Sequence, residues 1–99
     1  METVEYRPSR DQFVYTFGGA APVMRVKPGT ALFLWSEDAF NNALTSAADI
    51  SSEKVDLNFV NPQTGPFYVE GAEPGDTLAL HIADLTPARS YGASATIPF

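Results

Sequence analysis

Two Pro-Gly pairs, each followed by a run rich in apolar residues, limit the fold of this chain more than any other feature. The pairs are Pro28-Gly29 and Pro74-Gly75. Proline presets φ to about −65° and glycine accepts a positive φ, so each pair suits the centre of a type II turn. Turns of this kind commonly join neighbouring strands. The sequence therefore predicts two Pro-Gly hairpins within a mainly β domain.

The segments around these turns have the composition of strands, with Val, Ile, Thr and aromatic residues or with alternating side chains. The predicted strands are 13–17, 23–27, 31–35, 55–60, 67–69 and 77–85, after a polar lead-in at 1–10. In the longest, 77–85, Leu78, Leu80 and Ile82 share one face. The two Pro-Gly segments also resemble each other, either because such turns are alike or because a hairpin is duplicated in one barrel or sandwich. The predicted fold is a barrel- or sandwich-like β domain.

Residues 37–50 form the least strand-like part of the chain. Ala39 to Leu44 could form a helical turn with Asp38 as its N-cap, placing Phe40 and Leu44 on one face. The more cautious interpretation is a long loop with partial helix. Loops of this length in small domains are often functional.

Charge and composition exclude several classes of protein. The 99 residues allow one domain, 1–99, and carry a net charge of −6 with six scattered Lys and Arg residues. A nucleic-acid surface or an anionic membrane would require a basic patch. There is no cysteine, no signal-like apolar run and no apolar stretch of roughly 18 residues. We therefore expect a cytoplasmic protein that binds neither nucleic acid nor membrane.

The segment NPQTGPFYVEGAEPGDTLALHIADLTP, residues 61–87, closely resembles a segment of the acetamidase/formamidase family. Members of that family carry the pattern N-P-x-T-G-P-x-x-V-x-G-A-x-P-G-D before a strand that ends in Asp. Residues 15–42, YTFGGAAPVMRVKPGTALFLWSEDAFNN, look like the family's N-terminal hairpin. The resemblance covers roughly residues 13–87, which is most of the chain.

The resemblance implies a mainly β fold and the hydrolysis of short amides, such as formamide and acetamide, to the acid and ammonia. Some members are described as metal-dependent, with zinc the usual suggestion. Family proteins are much longer, and their segment rich in carboxylates and histidine is absent here. We therefore expect the N-terminal portion of a larger amidase, with any divalent metal bound mainly by residues outside this chain and no metal ligand identified within it.

Further expectations concern partners. The C-terminal remainder would be a second chain or a missing segment, and a homo-oligomer is also expected. The apolar ending Ile97-Pro98-Phe99 suggests a chain interrupted within a structure, and self-cleavage after Phe99 is a further hypothesis. The alternative to an amidase part is a non-catalytic small β module for binding or assembly.

Amide hydrolysis needs an acid or base, an oxyanion-stabilising group and groups that position the substrate. Asp38, at a strand end, and Glu70, beside Gly71, are the catalytic candidates, although Asp38 could instead cap a turn and Glu70 could form an ion pair. Glu73 and Asp76 are better explained by turn chemistry, and His81 by a structural role. The carboxamides of Asn41 and Asn42, or the backbone N–H groups of Asn61, Thr64 and Gly65, could position the amide. Turn chemistry is the alternative role of the first two residues, and a rigid turn before the next strand that of the other three.

Overall fold

The computed structural model describes residues 2–96, and their regular structure is mostly strand. The strands are β1 (Thr3–Tyr6), β2 (Met24–Val26), β3 (Ala31–Leu34) and β4 (Phe67–Val69). One short helix, α1 (Ser51–Lys54), and two 3-10 turns, Arg10–Gln12 and Leu57–Phe59, complete the regular elements. The mainly β prediction is confirmed at this level. The ending at 97–99, with the cleavage hypothesis attached to Phe99, lies outside the described residues.

The four strands form two parallel two-stranded sheets. β1 pairs with β3, with Val4 opposite Leu32, and β2 pairs with β4, with Met24 opposite Phe67. The Tyr6 and Phe67 rings meet edge to face at 5.7 Å, linking one sheet to the other. The lead-in at 1–10 therefore contains a strand that the sequence analysis did not predict, because alternation in so short and charged a segment is weak evidence.

Both Pro-Gly turns form. The Thr30 N–H donates to the Lys27 carbonyl at 3.2 Å, and the Asp76 N–H donates to that of Glu73 at 3.0 Å. Gly29 and Gly75 have φ of 84° and 95°, as the third residue of a type II turn requires.

Neither turn closes a hairpin within residues 2–96. The first turn joins β2 to β3, and these strands belong to different sheets because each pairs with a more distant strand. The second turn is followed by residues 77–85, which pair with no strand in the described part of the chain. A strand needs a neighbour to satisfy its backbone, and pairing, unlike a turn, is not a local property. The described residues therefore contain neither of the two predicted Pro-Gly hairpins, and the predicted strand at 77–85 is not formed.

Three further local predictions differ from the structure. Residues 13–17 contribute one antiparallel bridge, between Val14 and Gln63. Residues 55–60 contain the 3-10 turn instead of a strand. The expected helical turn at 39–44 is a pair of tight turns in which Asn41 and Asn42 have φ of 56° and 59°. Two successive left-handed residues are incompatible with an α-helix.

The described chain encloses little core. Phe13 and Val26 are the buried hydrophobic side chains, and the rings of Phe13 and Trp35 lie 6.3 Å apart. The accessible surface is 7816 Å², against about 5500 Å² for a compact monomer of this mass. The radius of gyration is 16.0 Å, against about 13 Å for a compact chain of this length. Much apolar surface is thus left without cover from this chain.

The second Pro-Gly turn offers a test of the turn chemistry. The Asp76 carboxylate accepts a hydrogen bond from the Glu73 N–H at 2.9 Å. We expect Asp76→Ala to weaken the turn by about 1 kcal/mol, the usual contribution of such a bond. Exchange of the Glu73 amide hydrogen should then be about fivefold faster. Glu73→Ala is the matched control because its own N–H remains, and equal acceleration in both variants would contradict the role of Asp76.

Candidate functional site

Two loops meet beside β3 and carry most of the candidate site residues. The first follows β3 at residues 35–42, and the second precedes β4 at residues 61–65; we call them the paired loops. The Asn61 N–H donates to the Ala39 carbonyl at 2.8 Å, and the Thr64 hydroxyl donates to the Trp35 carbonyl at 2.8 Å. The structure thus brings five sequence-predicted residues onto two touching loops: Asp38, Asn41, Asn61, Thr64 and Gly65.

Gly65 is fixed by its backbone. It is buried, its φ is 126°, and it precedes a cis peptide bond to Pro66. A Cβ atom added at this position would lie 3.3 Å from two ring carbons of Phe67. The glycine is therefore required for backbone conformation and for close packing.

Gly65→Ala should accordingly destabilise the fold. The positive φ and the close approach to Phe67 together predict a loss of about 1–2 kcal/mol in the free energy of unfolding. Urea unfolding followed by tryptophan fluorescence would measure it through Trp35. Gly18→Ala is a suitable control, since Gly18 has φ 85° but no atom within 4 Å of an added Cβ. If both variants lose the same stability, the contact with Phe67 has no part in the effect.

Asp38 caps the tight turns that follow it. Its Oδ1 accepts hydrogen bonds from the N–H groups of Phe40 at 2.9 Å and Asn42 at 3.0 Å. Its Oδ2 lies 3.4 Å from a guanidinium nitrogen of Arg89. The capping interpretation of Asp38 is confirmed, and its catalytic role stays a prediction, because one carboxylate oxygen takes no part in the cap.

An ion pair between Glu37 and Arg89 lies beside Asp38, and the sequence analysis missed it. The Arg89 guanidinium donates to both carboxylate oxygens of Glu37, at 2.5 and 3.0 Å, in a two-point contact. The side chain of Glu37 is only 6% exposed. Hydrogen bonding from Arg89 lowers the pKa of Glu37 against the opposing effect of burial, and the same bond raises the pKa of Arg89.

The adjacent carboxylates at the end of β3 could have drawn attention to Glu37, but no pattern in the sequence points from it to Arg89. Arg89 also lies over the Trp35 ring, with its guanidinium carbon 5.5 Å from the ring centre. Tyr91 then donates to the Asn42 side-chain carbonyl at 3.1 Å. Residues 89–91 are thus fastened to the first of the paired loops.

The contact between Glu37 and Arg89, which holds residues 89–91 against the loop, should depend on pH. Because the pKa of folded Glu37 lies below the ordinary glutamate value, its contact with Arg89 contributes fully above about pH 5 and is lost as the pH falls through the lowered pKa. We expect the backbone chemical shifts of residues 89–91 to move towards random-coil values between about pH 5 and pH 3, as the side chains of Arg89 and Tyr91 lose their fixed positions. Glu37→Gln should show such values already at about pH 6 and a flat profile. A wild-type profile that is also flat would contradict the contact.

Two open grooves flank the paired loops, and Tyr15 lines both. One, of about 530 Å³, is also lined by Glu37 and Asn61. The other, of about 710 Å³, is lined by Asn41 and several charged side chains. The Asn41 amide nitrogen donates to the Tyr15 hydroxyl at 3.1 Å, while its Oδ1 is buried and has no hydrogen-bond partner within residues 2–96. That oxygen therefore has an acceptor position that the described residues leave unused.

Glu70 lies away from this arrangement. Its carboxylate is 3.8 Å from the Arg25 side chain, and its N–H donates to the Val26 carbonyl. Its side chain is 40% exposed and that of Arg25 65%. Among the described residues, the polar contacts of Glu70 are thus with β2 and not with the paired loops. Its catalytic role stays a prediction.

The described residues do not make a metal site of their own. Within 2–96, no group of three or more His, Cys, Asp or Glu side chains is placed to bind one ion. Glu37 is committed to Arg89, one oxygen of Asp38 accepts the hydrogen bonds of its cap while the other faces Arg89, and His81 is exposed on the unpaired segment. Structural zinc needs four ligands and catalytic zinc about three from protein. These residues therefore do not fit zinc without ligands from elsewhere.

In this same part of the chain, none of the helices combines the length and apolar character that a bilayer crossing requires.

The segments that build this site are similar to parts of known proteins. The sequence model of the acetamidase/formamidase family matches residues 18–98. A Schizosaccharomyces pombe (strain 972 / ATCC 24843) protein named as a formamidase is 48% identical over 42 residues, which are 42% of this chain and 10% of that relative. The chain thus matches only a small part of that relative's length. No solved structure matches it. Because the family match extends over most of its residues, the chain belongs to the acetamidase/formamidase family.

Proposed function

We propose that this chain is the N-terminal part of an amide hydrolase that acts on short aliphatic amides of the formamide and acetamide type and releases ammonia. The family match over 18–98 is the observation that carries the proposal. The chain is active only together with the C-terminal remainder, present as a second chain or as further sequence. The small core and large exposed surface support this dependence.

The paired loops supply part of the chemistry. Asp38 is the acid–base candidate, because its Oδ2 takes no part in the cap and lies 3.4 Å from a guanidinium nitrogen of Arg89. Asn41 would orient the amide through its side-chain carboxamide, whose Oδ1 has no partner within the described residues. Asn61, Thr64 and Gly65 would border the substrate through backbone N–H groups or the Asn61 amide. Glu70 could contribute only to a site that another segment completes on the side of β2.

The remaining parts of the proposal concern assembly. Residues 1–99 are one β-rich domain that becomes barrel- or sandwich-like when strands of the remainder extend its two small sheets. A homo-oligomer forms around the completed unit, in the cytoplasm. If the amidase uses a divalent metal such as zinc, its ligands come mainly from the remainder, since the described residues do not provide a set.

The test starts from natively purified material. Denaturing mass spectrometry identifies every polypeptide that travels with the 10.7 kDa chain, and ammonia release from formamide and acetamide is measured on the same sample. The expected result is an assembly with a carboxylate- and histidine-rich partner that releases ammonia, while the 99-residue chain alone releases none. An assembly that contains such a partner but hydrolyses neither amide would overturn the proposal. A folded, inactive monomer as the natural species would favour the alternative, a non-catalytic β module.

A further inference from the structure

The first of the paired loops collects much of the positive charge of this acidic chain. The guanidinium carbons of Arg7 and Arg89 lie 4.7 and 5.5 Å from the centre of the Trp35 ring. Arg10 donates to the Asn41 carbonyl at 3.0 Å. Three of the six Lys and Arg residues of the chain therefore contact this one loop.

The local charge has the opposite sign to the charge of the whole chain. The loop itself carries two carboxylates, Glu37 and Asp38. Hydrogen bonding from Arg89, with a smaller contribution from the charge of Arg10, lowers the pKa of Glu37. Three arginines against two carboxylates leave a formal charge of +1 among the described side chains attached to the loop, whereas the whole chain carries −6. A singly charged anion would balance this local excess.

Arg89 has hydrogen-bond donors that its contacts do not use. Its guanidinium carries five N–H groups. Nη1 donates to Oε1 of Glu37 and to Oδ2 of Asp38, and Nη2 donates to Oε2 of Glu37. The Nε–H and the second Nη2–H lie side by side along the remaining edge of the guanidinium. Neither donates to any of residues 2–96.

The same contacts hold Arg89 in place. Glu37 is bound at two points and its side chain is only 6% exposed, whereas that of Arg89 is 25% exposed. A guanidinium fixed in this way loses little further side-chain freedom when it takes a second partner. Arg89 is therefore preorganised and still accessible from solvent.

We propose that the free edge of Arg89 is a binding site for a small monocarboxylate, with Arg7 and Arg10 adding positive charge. Two parallel N–H groups match the two oxygens of a carboxylate, as in the contact that Arg89 already makes with Glu37. The Oδ2 of Asp38, 3.4 Å from Nη1 of Arg89, repels a doubly charged anion such as sulfate more strongly than it repels a monocarboxylate.

The identity of the carboxylate rests on the proposed function, whereas the site itself rests on the geometry. Hydrolysis of formamide or acetamide releases formate or acetate, and each is a monocarboxylate at neutral pH. Arg89 then holds the acid product beside Asp38 before its release.

The test uses the natively purified protein, with this chain isotope-labelled at arginine and at tryptophan for NMR. The signals followed are the Nε–H of Arg89 and the indole N–H of Trp35, which is the single tryptophan of the chain. Sodium acetate is titrated at constant ionic strength, with sodium chloride as the reference salt. We expect saturable shifts of both signals with acetate and with formate, and none with chloride. Sulfate should bind at least about threefold more weakly than acetate.

Two variants separate the two-point contact from the general charge. Arg89→Lys should weaken acetate binding about tenfold or more, as followed through Trp35, because an ammonium group cannot present two parallel N–H groups to a carboxylate. Arg7→Gln leaves the contact between Arg89 and Glu37 in place, and should weaken binding about two- to threefold at low salt and less at high salt.

Arg25→Lys is the matched control. Arg25 also lies over an aromatic ring, that of Tyr68 at 4.2 Å, and beside a carboxylate, that of Glu70 at 3.8 Å. Its replacement should leave acetate affinity unchanged. Equal responses to chloride and acetate, tighter binding of sulfate than of acetate, or wild-type affinity in both Arg89→Lys and Arg7→Gln would each overturn the proposal.

Ammonia release from formamide and acetamide, measured on the same sample, separates this proposal from the amidase proposal. Acetate binding at Arg89 without amide hydrolysis would overturn the amidase and leave the carboxylate site supported. Ammonia release without any acetate-dependent shift would support the amidase and overturn the carboxylate site.

Discussion

Asp38→Asn is expected to lower ammonia release by the assembled enzyme about 10²- to 10⁴-fold, the usual contribution of a positioned acid or base. The asparagine keeps a carbonyl oxygen that can accept the hydrogen bonds of Phe40 and Asn42. The cap should therefore survive, and the free energy of unfolding should stay close to that of the wild type. The measurement is the kcat for formamide, taken beside the free energy of unfolding of the same variant.

Asp38→Ala separates the two roles of this carboxylate. It removes the cap as well as the charge, and should destabilise the loop by about 1 kcal/mol in addition to abolishing activity. If Asp38→Asn retains wild-type kcat while Asp38→Ala loses stability, Asp38 is a capping residue and the acid–base group lies elsewhere. Glu37→Gln is a further control, because it disturbs the same loop through Arg89 without changing Asp38.

Phe13→Ala is expected to have the largest effect on stability, about 3 kcal/mol in the free energy of unfolding. Phe13 is 8% exposed and packs beside Trp35. Truncation of a buried phenylalanine usually costs about 3–5 kcal/mol, and the lower end applies because this core is shallow. Urea unfolding of the assembled protein, followed through tryptophan fluorescence, would report the change.

Phe17→Ala provides the comparison for this measurement, because the same truncation at a 97% exposed position should change stability by less than about 0.5 kcal/mol. If Phe13→Ala also changes stability by less than this amount, the contact between Phe13 and Trp35 contributes little to the stability of the fold. The stability would then come from the sheets or from a partner.

Local chemistry was predicted well from this sequence, and pairing was not. The two type II turns follow from Pro28-Gly29 and Pro74-Gly75 alone, since their φ preferences are properties of single residues. The partner of a strand depends on residues far away. β3 pairs with a segment at 3–6 that has no strong strand signal, and 77–85, with the best strand signal, has no neighbour within the described residues.

In the candidate site, too, the local features could be predicted and the long-range contacts could not. Capping by Asp38 could be predicted because the carboxylate of an aspartate before a turn commonly accepts hydrogen bonds from the N–H groups of that turn. The contact between residues 35–42 and 61–65 was not predicted, because the two loops are distant in sequence and each was a candidate only for its own position beside a strand. The role of Arg89 could not be predicted, because its partner Glu37 is distant in sequence. Nothing in the residues near Arg89 distinguishes it from the other scattered arginines.

The order of the strands has a consequence for how this chain is made. β2 lies between β1 and β3 in sequence, while β3 lies between β2 and β4, so the two sheets are interlaced along the chain. During synthesis, β1 and β3 can pair as soon as Leu34 has left the ribosome, but β2 must wait for Val69. With elongation at about 5–20 residues per second, that wait lasts about 2–9 seconds from the emergence of Val26. Throughout it, Val26 lacks the strand that covers it in the folded chain, so β2 is exposed to non-native contacts for longer than β1 or β3.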